Sequence, residues 1–214
     1  MNGGAWAVTS PSNCVAIIPA KGTSRRIPRK NLAICAGMSL VERAVRCAAQ
    51  ARLFDAILVS SEDQEVLDAV SAMRGGMELV RVFPVHRPPM LSADGVSVAA
   101  VVSYLLAINT YRWESFCVLW PTSPLRTPEI LRAMWRQFEG QRFKCLHSVY
   151  ANDPTRHDGT AIFMATDVFL RRLSLDYQRD QVFPIQDSVD VNTPEDLAEA
   201  ERRLLAREAA CPSI

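Results

Sequence analysis

Residues Val15 to Asn31 read VAIIPAKGTSRRIPRKN, and the fold of the chain is decided in that stretch. An apolar run, Val15 to Ile18, ends at Pro19, which predicts a buried strand that delivers a loop. The loop carries Gly22, Thr23 and Ser24 among five cations, Lys21, Arg25, Arg26, Arg29 and Lys30. Glycine lets backbone approach a ligand closely, small hydroxyl residues leave amide hydrogens uncovered, and clustered cations neutralise several negative charges at once. The ligand these features select is a polyphosphate. A solvated charged loop is the plain alternative. Against it stands the mutual repulsion of five cations with almost no carboxylate among them, which on sequence grounds an anionic ligand alone relieves. The glycine spacing fits neither GxxxxGK[ST] nor GxGxxG, so the P-loop and dinucleotide readings are excluded.

The whole chain, 214 residues with 49% hydrophobic content, is long enough for one domain over residues 1–214. Residues 1–13 are expected to be a tail, and residues 140–185 to hold acceptor and dimer contacts. A net charge of +1 confines the positive field to one site and disfavours a nucleic-acid partner. Six cysteines, Cys14, Cys35, Cys47, Cys117, Cys145 and Cys211, are scattered without a C-x-x-C pair, and His86, His147 and His157 are isolated. Buried thiols and no structural metal are expected. No apolar run reaches the roughly 20 residues of a membrane span, and MNGGAWAVTSPSN lacks the pattern of a leader. No membrane partner and a cytoplasmic location are therefore expected.

Strand-like and helix-like segments alternate, which predicts an α/β fold with a mostly parallel sheet flanked by helices. Helical spacing covers Leu40 to Ala51, Gln64 to Ala72 and Gly95 to Ile108. Strands are expected at Ala56 to Ser60, Glu78 to Phe83 and Phe116 to Trp120, with weaker candidates at Lys144 to Tyr150, Thr160 to Met164 and Gln181 to Ile185. Pro121 to Arg126, PTSPLR, breaks the chain, and Thr127-Pro128-Glu129 starts a helix with a cap and a proline at its first position. In open α/β sheets ligands bind at the carboxyl edge, so this loop and the basic loop are expected to line one crevice. Asn192-Thr193-Pro194-Glu195-Asp196 starts a last charged helix, to about Glu208.

A triphosphate held by Lys and Arg still calls for a divalent metal, and magnesium takes one or two carboxylates beside phosphate oxygens and water. Asp190, before the last helix, is the first candidate; a turn or cap carboxylate is its structural alternative. Asp187 and Asp94 follow. Glu62 and Asp63 precede a helix and are read as caps. His86 to Asp94 is expected to be extended and irregular because of Pro88 and Pro89. Asn152 to Gly159, NDPTRHDG, reads as a second polar loop, with His157 a surface residue and Arg156 placed to meet an anionic acceptor.

These residues resemble those of the cytidylyltransferases that make CMP-activated nine-carbon acid sugars, the CMP-sialic acid synthetases and their pseudaminic and legionaminic acid relatives. The family's I-I-P-A-R-G-G-S-K-x-I-P-R-K-N is similar to Ile17 to Asn31, its Q-P-T-S-P-L-R to Trp120 to Arg126, and its D-I-D-T-P-E-D-L to Asp190 to Leu197. A fainter likeness joins V-S-T-D-D-E-E-I to Val59 through Val66, and R-P-x-x-L-x-x-D to Arg87 through Asp94. The resemblance implies a Rossmann-like fold of nucleotidyltransferase type, usually a homodimer, that joins CTP to an acid sugar with magnesium and releases pyrophosphate. It implies that Lys21, Gly22, Thr23, Ser24, Arg25, Lys30 and Asn31 hold the nucleotide, assisted by Arg87 and Ser97. Lys21, Arg25, Lys30 and Asp190 would be the catalytic set. Trp120, Thr122, Ser123 and Arg126, with Arg156 and Asp158, would meet the acceptor, and Asp190, with Asn192 as a weaker ligand, the metal.

Four positions depart from the family pattern: Lys21 stands for an arginine, Thr23 for a glycine, Trp120 for a glutamine that faces the sugar, and Asn192 for the second aspartate of the D-x-D pair. The first two leave nucleotide binding in place, while the last two bear on acceptor identity and rate. Arg26 leans away from sialic acid itself. The alternatives left open are a diverged nucleotidyltransferase for another acid acceptor, and a nucleotide-binding protein with little turnover.

Overall fold

The structure, a computed structural model, describes residues 13–73, 81–140, 144–175 and 181–210. Residues 1–12 of the expected tail, residues 78–80 of the expected third strand and Cys211 lie outside the described residues. Strand β1, Cys14–Pro19, is buried on both faces, as a central parallel strand of β-branched residues should be. Cys14, Ala16 and Ile18 pack into one core cluster, and Val15 and Ile17 into another on the opposite face.

A two-strand ribbon follows, β2 (Ile34–Cys35) and β3 (Met38–Ser39). Helix α1, Leu40–Ala51, is capped by Ser39, which accepts from the Glu42 N–H. β4 (Ala56–Ser61) leads to α2 (Gln64–Ala72), capped by Asp63. β5 is Arg81–His86. α3 spans Val98–Ile108, later than the apolar pattern predicts, because Gly95 is left-handed at φ +84° and Ser97 is the extended cap. β6 (Ser115–Val118) and α4 (Pro128–Gly140) come next, then β7 (Cys145–Tyr150), β8 (Asp153–Ala165), α5 (Thr166–Arg172), β9 (Val182–Ile185) and α6 (Pro194–Ala210).

Seven strands form one sheet in the order β5-β4-β1-β6-β8-β7-β9. The β1–β4, β1–β6, β4–β5 and β7–β9 pairs are parallel, and β8 runs against both its neighbours. The chain winds outward from β1 through β4 to β5, then returns to the other side of β1 as β6. That reversal is the switch point where open sheets of this kind leave a crevice. The expected polar loop Asn152 to Gly159 is corrected: most of it belongs to β8, whose pairing with β7 slips twice between His147 and Tyr150. Five cysteines, Cys14, Cys35, Cys47, Cys117 and Cys145, are buried free thiols.

Candidate active site

The basic loop docks on the end of β4. Ala20 N–H donates to the Ser60 carbonyl at 2.9 Å, Gly22 N–H to Glu62 Oε1 at 2.9 Å, and Asn31 Nδ2 to the Lys21 carbonyl at 2.7 Å. A Cβ on Gly22 would collide with the Asp63 side chain, so glycine is required by close approach. Gly22 and Asn31, expected as nucleotide ligands, shape the loop through these contacts, and Asn31 also lines the crevice. Thr23, Ser24, Lys21 and Lys30 line a crevice of about 310 Å³ that ends at Trp120, Pro121 and Thr122. It continues into an open basin of about 590 Å³ bordered by Arg25 and Arg26.

The expectation that only an anionic ligand relieves the five cations is corrected by the fold. Lys21 Nζ pairs with Asp94 at 3.1 Å, Arg25 pairs with the same carboxylate, Arg29 forks onto Glu65, and Arg26 Nη2 donates to Asn192 Oδ1 at 3.1 Å. Lys30 Nζ donates to the Val191 carbonyl at 3.0 Å and lies 3.4 Å from Asn192 Oδ1. Burial, and Arg26 nearby, hold the Lys30 ammonium below its ordinary value, against the pull of Asp190 and Asp196. The hydrogen bond from Lys21 and the charge of Arg25 lower the Asp94 carboxyl. Exposed pairs of this kind contribute little, so Lys21 and Arg25 are held only weakly on Asp94. Arg29 faces α2 and lines neither cavity.

The facing wall is built around Glu62, which is not the cap expected of it; Asp63 takes that role. Glu62 Oε2 accepts from Arg87 Nη2 at 3.0 Å and from the Ser92 hydroxyl, while Arg87 Nε donates to Ser92 Oγ at 2.7 Å. Burial pushes Glu62 up, but its hydrogen bonds and Arg87 together pull it below the usual range. Arg87 therefore borders the crevice with its charge already matched, and Ser97 is the cap of α3. Pro89–Ser92 makes a 3₁₀ turn where irregular chain was expected, because Pro89 at its first position costs no hydrogen bond. Leu91, Val96, Val98 and Val101 make this end of the crevice apolar. The sequence reading misses this role of Glu62, because its partners Arg87 and Ser92 lie far along the chain.

At the far end, the PTSPLR loop is held from within. Arg126 is buried; its Nε donates to the Thr160 carbonyl at 2.7 Å, and its Nη2 reaches the Trp120 and Gly159 carbonyls. Ser123 Oγ faces the Asp158 carbonyl at 3.4 Å, and the Asp158 carboxylate accepts from Thr160 N–H and Oγ1. Arg126, Ser123 and Asp158, expected to touch the acceptor, are buried, line neither cavity and are engaged in fixing the loop, where their polar groups are already satisfied. Trp120 and Thr122 do line the crevice. His157 is half-buried rather than on the surface: its ring meets Trp120 edge-on at 4.9 Å and His147 at 5.6 Å. Cys145 Sγ lies 3.1 Å from His147 Nε2, but burial pushes the thiol to about 12 and the imidazole to about 3, so the pair is neutral and not a nucleophile. Arg156 is exposed, 5.2 Å over the Tyr150 ring.

Asp190 adjoins Gly159 and accepts from Asn192 Nδ2 at 2.7 Å. It lines neither cavity and reaches the crevice through Asn192 and Lys30. Asp187 is bound to Arg203 and Arg207, which removes it as a metal candidate. One carboxylate, Asp190, fits the donor set magnesium takes beside phosphate oxygens. Asn192 does not fit as a second ligand, because its oxygen already accepts from two cations.

A basic loop and a proline-fixed loop meeting at the switch point of a mostly parallel sheet define an α/β protein of the nucleotidyltransferase type. A family model described as cytidylyltransferase matches residues 15–202, and the chain belongs to that family. It is 32% identical over 133 residues to a pseudaminic acid cytidylyltransferase of Campylobacter jejuni serotype O:2, covering 61% of this chain and 55% of that protein. It is 31% identical over 122 residues to a CMP-N,N'-diacetyllegionaminic acid synthase of Legionella pneumophila, covering 55% of this chain and 50% of that one. The chain thus spans about half the length of these curated relatives. Among solved structures, a CMP:2-keto-3-deoxy-manno-octonic acid synthetase complexed with CTP superimposes with a TM-score of 0.71 at 15% identity, over 91% of this chain and 99% of that one, a likeness of fold.

Proposed function

We propose that the chain couples CTP to an acidic sugar of the nonulosonate type, giving a CMP-sugar and pyrophosphate. The observation that carries this reading is the crevice at the switch point, where Lys21, Lys30 and the small residues Thr23 and Ser24 face an apolar wall of Leu91, Val96 and Val98. A base takes the apolar end and the phosphates run along the loop into the basin edged by Arg25 and Arg26. The names of the relatives, pseudaminic acid cytidylyltransferase and diacetyllegionaminic acid synthase, support an acid sugar as acceptor.

In this reading the sugar's anomeric hydroxyl attacks the α-phosphorus in line, and pyrophosphate leaves on the opposite side. The chain contributes positioning and fixed positive charge, the two terms that dominate phosphoryl-type transfer. Lys21 and Arg25 exchange Asp94 for phosphate oxygens. The half-buried Lys30, lowered by burial, gains back its proton affinity as the phosphates arrive. Magnesium, when held at Asp190, would offset charge on the leaving pyrophosphate. Trp120 bounds the acceptor end, and Arg156 supplies a cation for the acceptor carboxylate. We take the working assembly to be a homodimer, to be checked by light scattering.

The test is pyrophosphate release from CTP and magnesium with sialic, pseudaminic, legionaminic and 3-deoxy-octulosonic acids in parallel. Turnover with one acid sugar well above the others supports the reading. CTP binding without turnover on any of the four would return the acceptor to other acids.

A further inference from the structure

The Asn192 side chain is pinned from both ends. Its Oδ1 accepts from Arg26 Nη2 at 3.1 Å and lies 3.4 Å from Lys30 Nζ, and its Nδ2 donates to Asp190 Oδ2 at 2.7 Å. Turned over, the amide would set its NH₂ against two cations and its oxygen against a carboxylate, so the network fixes one orientation. Its backbone N–H is anchored on Asp196 Oδ2 at 2.9 Å, the carboxylate that also receives the Thr193 N–H at 2.8 Å. The side chain has no freedom to swing toward an ion.

Resting on the reading that the crevice binds a nucleoside triphosphate, we propose that Asn192 takes its position out of metal binding and keeps Arg26 and Lys30 available to the phosphates. A neutral amide orients both cations without cancelling their charge. An aspartate there would form ion pairs with them and repel Asp190 across the 2.7 Å contact. The site thereby trades a second metal carboxylate for undiminished cationic grip, and its hold on a triphosphate depends little on the divalent ion.

Calorimetric titration of the full chain with CTP, in excess EDTA and in excess magnesium, tests this. Wild type is expected to bind in both, with Kd values within about tenfold of each other, whereas Asn192→Asp loses about tenfold or more in EDTA and recovers most of it in magnesium. Without nucleotide, Mn²⁺ titration followed by electron paramagnetic resonance should show tighter binding to Asn192→Asp than to wild type. Arg26 is exposed, so Arg26→Gln leaves the fold intact and should lose affinity mainly in EDTA. Wild-type binding that appears only with magnesium, an Asn192→Asp variant that matches wild type in EDTA, or equal Mn²⁺ affinity overturns the inference and leaves the nucleotide reading standing. Absence of CTP binding by wild type in both buffers overturns the nucleotide reading, and this inference with it.

Discussion

The two loops that close the carboxyl edge of the sheet are built on opposite principles. In residues 21–29 the charged heads point outward and meet exposed, replaceable partners, as Lys21 and Arg25 do on Asp94, whereas Lys30 is half-buried, on the Val191 carbonyl. In residues 120–126 they turn inward, and Arg126 is saturated by backbone carbonyls. The first loop is a grip and the second a scaffold that presents Trp120 and Thr122. Both carry motifs of similar strength in the sequence, so likeness to a motif identifies where the site is but not which side chains touch the ligand.

The sharpest way to break this contrast is Arg126→Ala. It leaves the carbonyls of Trp120, Gly159 and Thr160 without their donor in a buried place, and should cost about 3 kcal/mol or more, a fall of roughly 6–12 °C in the unfolding midpoint. Arg126→Lys should recover only part of this, because an ammonium cannot fork to all the carbonyls. A loss of CTP affinity with unchanged stability would instead make Arg126 a ligand.

A second effect comes from His147, on the scaffold side. Burial, with His157 beside it, lowers its folded value to about 3 against an ordinary 6.5. Between those values the unfolded chain binds the extra proton, so stability is full above pH 6.5 and falls as pH drops toward 3. From pH 6.5 to pH 5 the loss is about 2 kcal/mol, read by urea unfolding, and His147→Gln should flatten that slope. A slope unchanged by the substitution would place the titrating group elsewhere.

The smallest change in stability is expected in the grip. Arg25, its side chain 86% exposed, should leave the unfolding midpoint within about 2 °C on replacement by Ala, while CTP affinity falls about tenfold. If stability fell and affinity did not, the two loops would have exchanged roles.

The parts of the fold legible from sequence are those whose local signals agree with their packing. The apolar run of β1 and the helices Leu40–Ala51 and Gln64–Ala72 are there, the two helices with matching ends. The Ile34–Ser39 ribbon escapes notice because two residues per strand carry no periodicity. NDPTRHDG reads as a loop because its strand is imposed by pairing with β7 and not by its own residues, a tertiary effect overriding propensity. In the site, the cations and the crevice were legible. Glu62 and the inward turn of Arg126 were not, since a charged residue's partner many positions away leaves no local trace.

The most direct measurement is where a triphosphate lies. A crystal structure with CTP and magnesium should place the phosphates against Lys21, Arg25 and Lys30, with the Asp94 contacts released and Arg126 unmoved on its carbonyls. Phosphates bound away from residues 21–30, or an Arg126 that leaves Thr160 to reach the ligand, would contradict this arrangement.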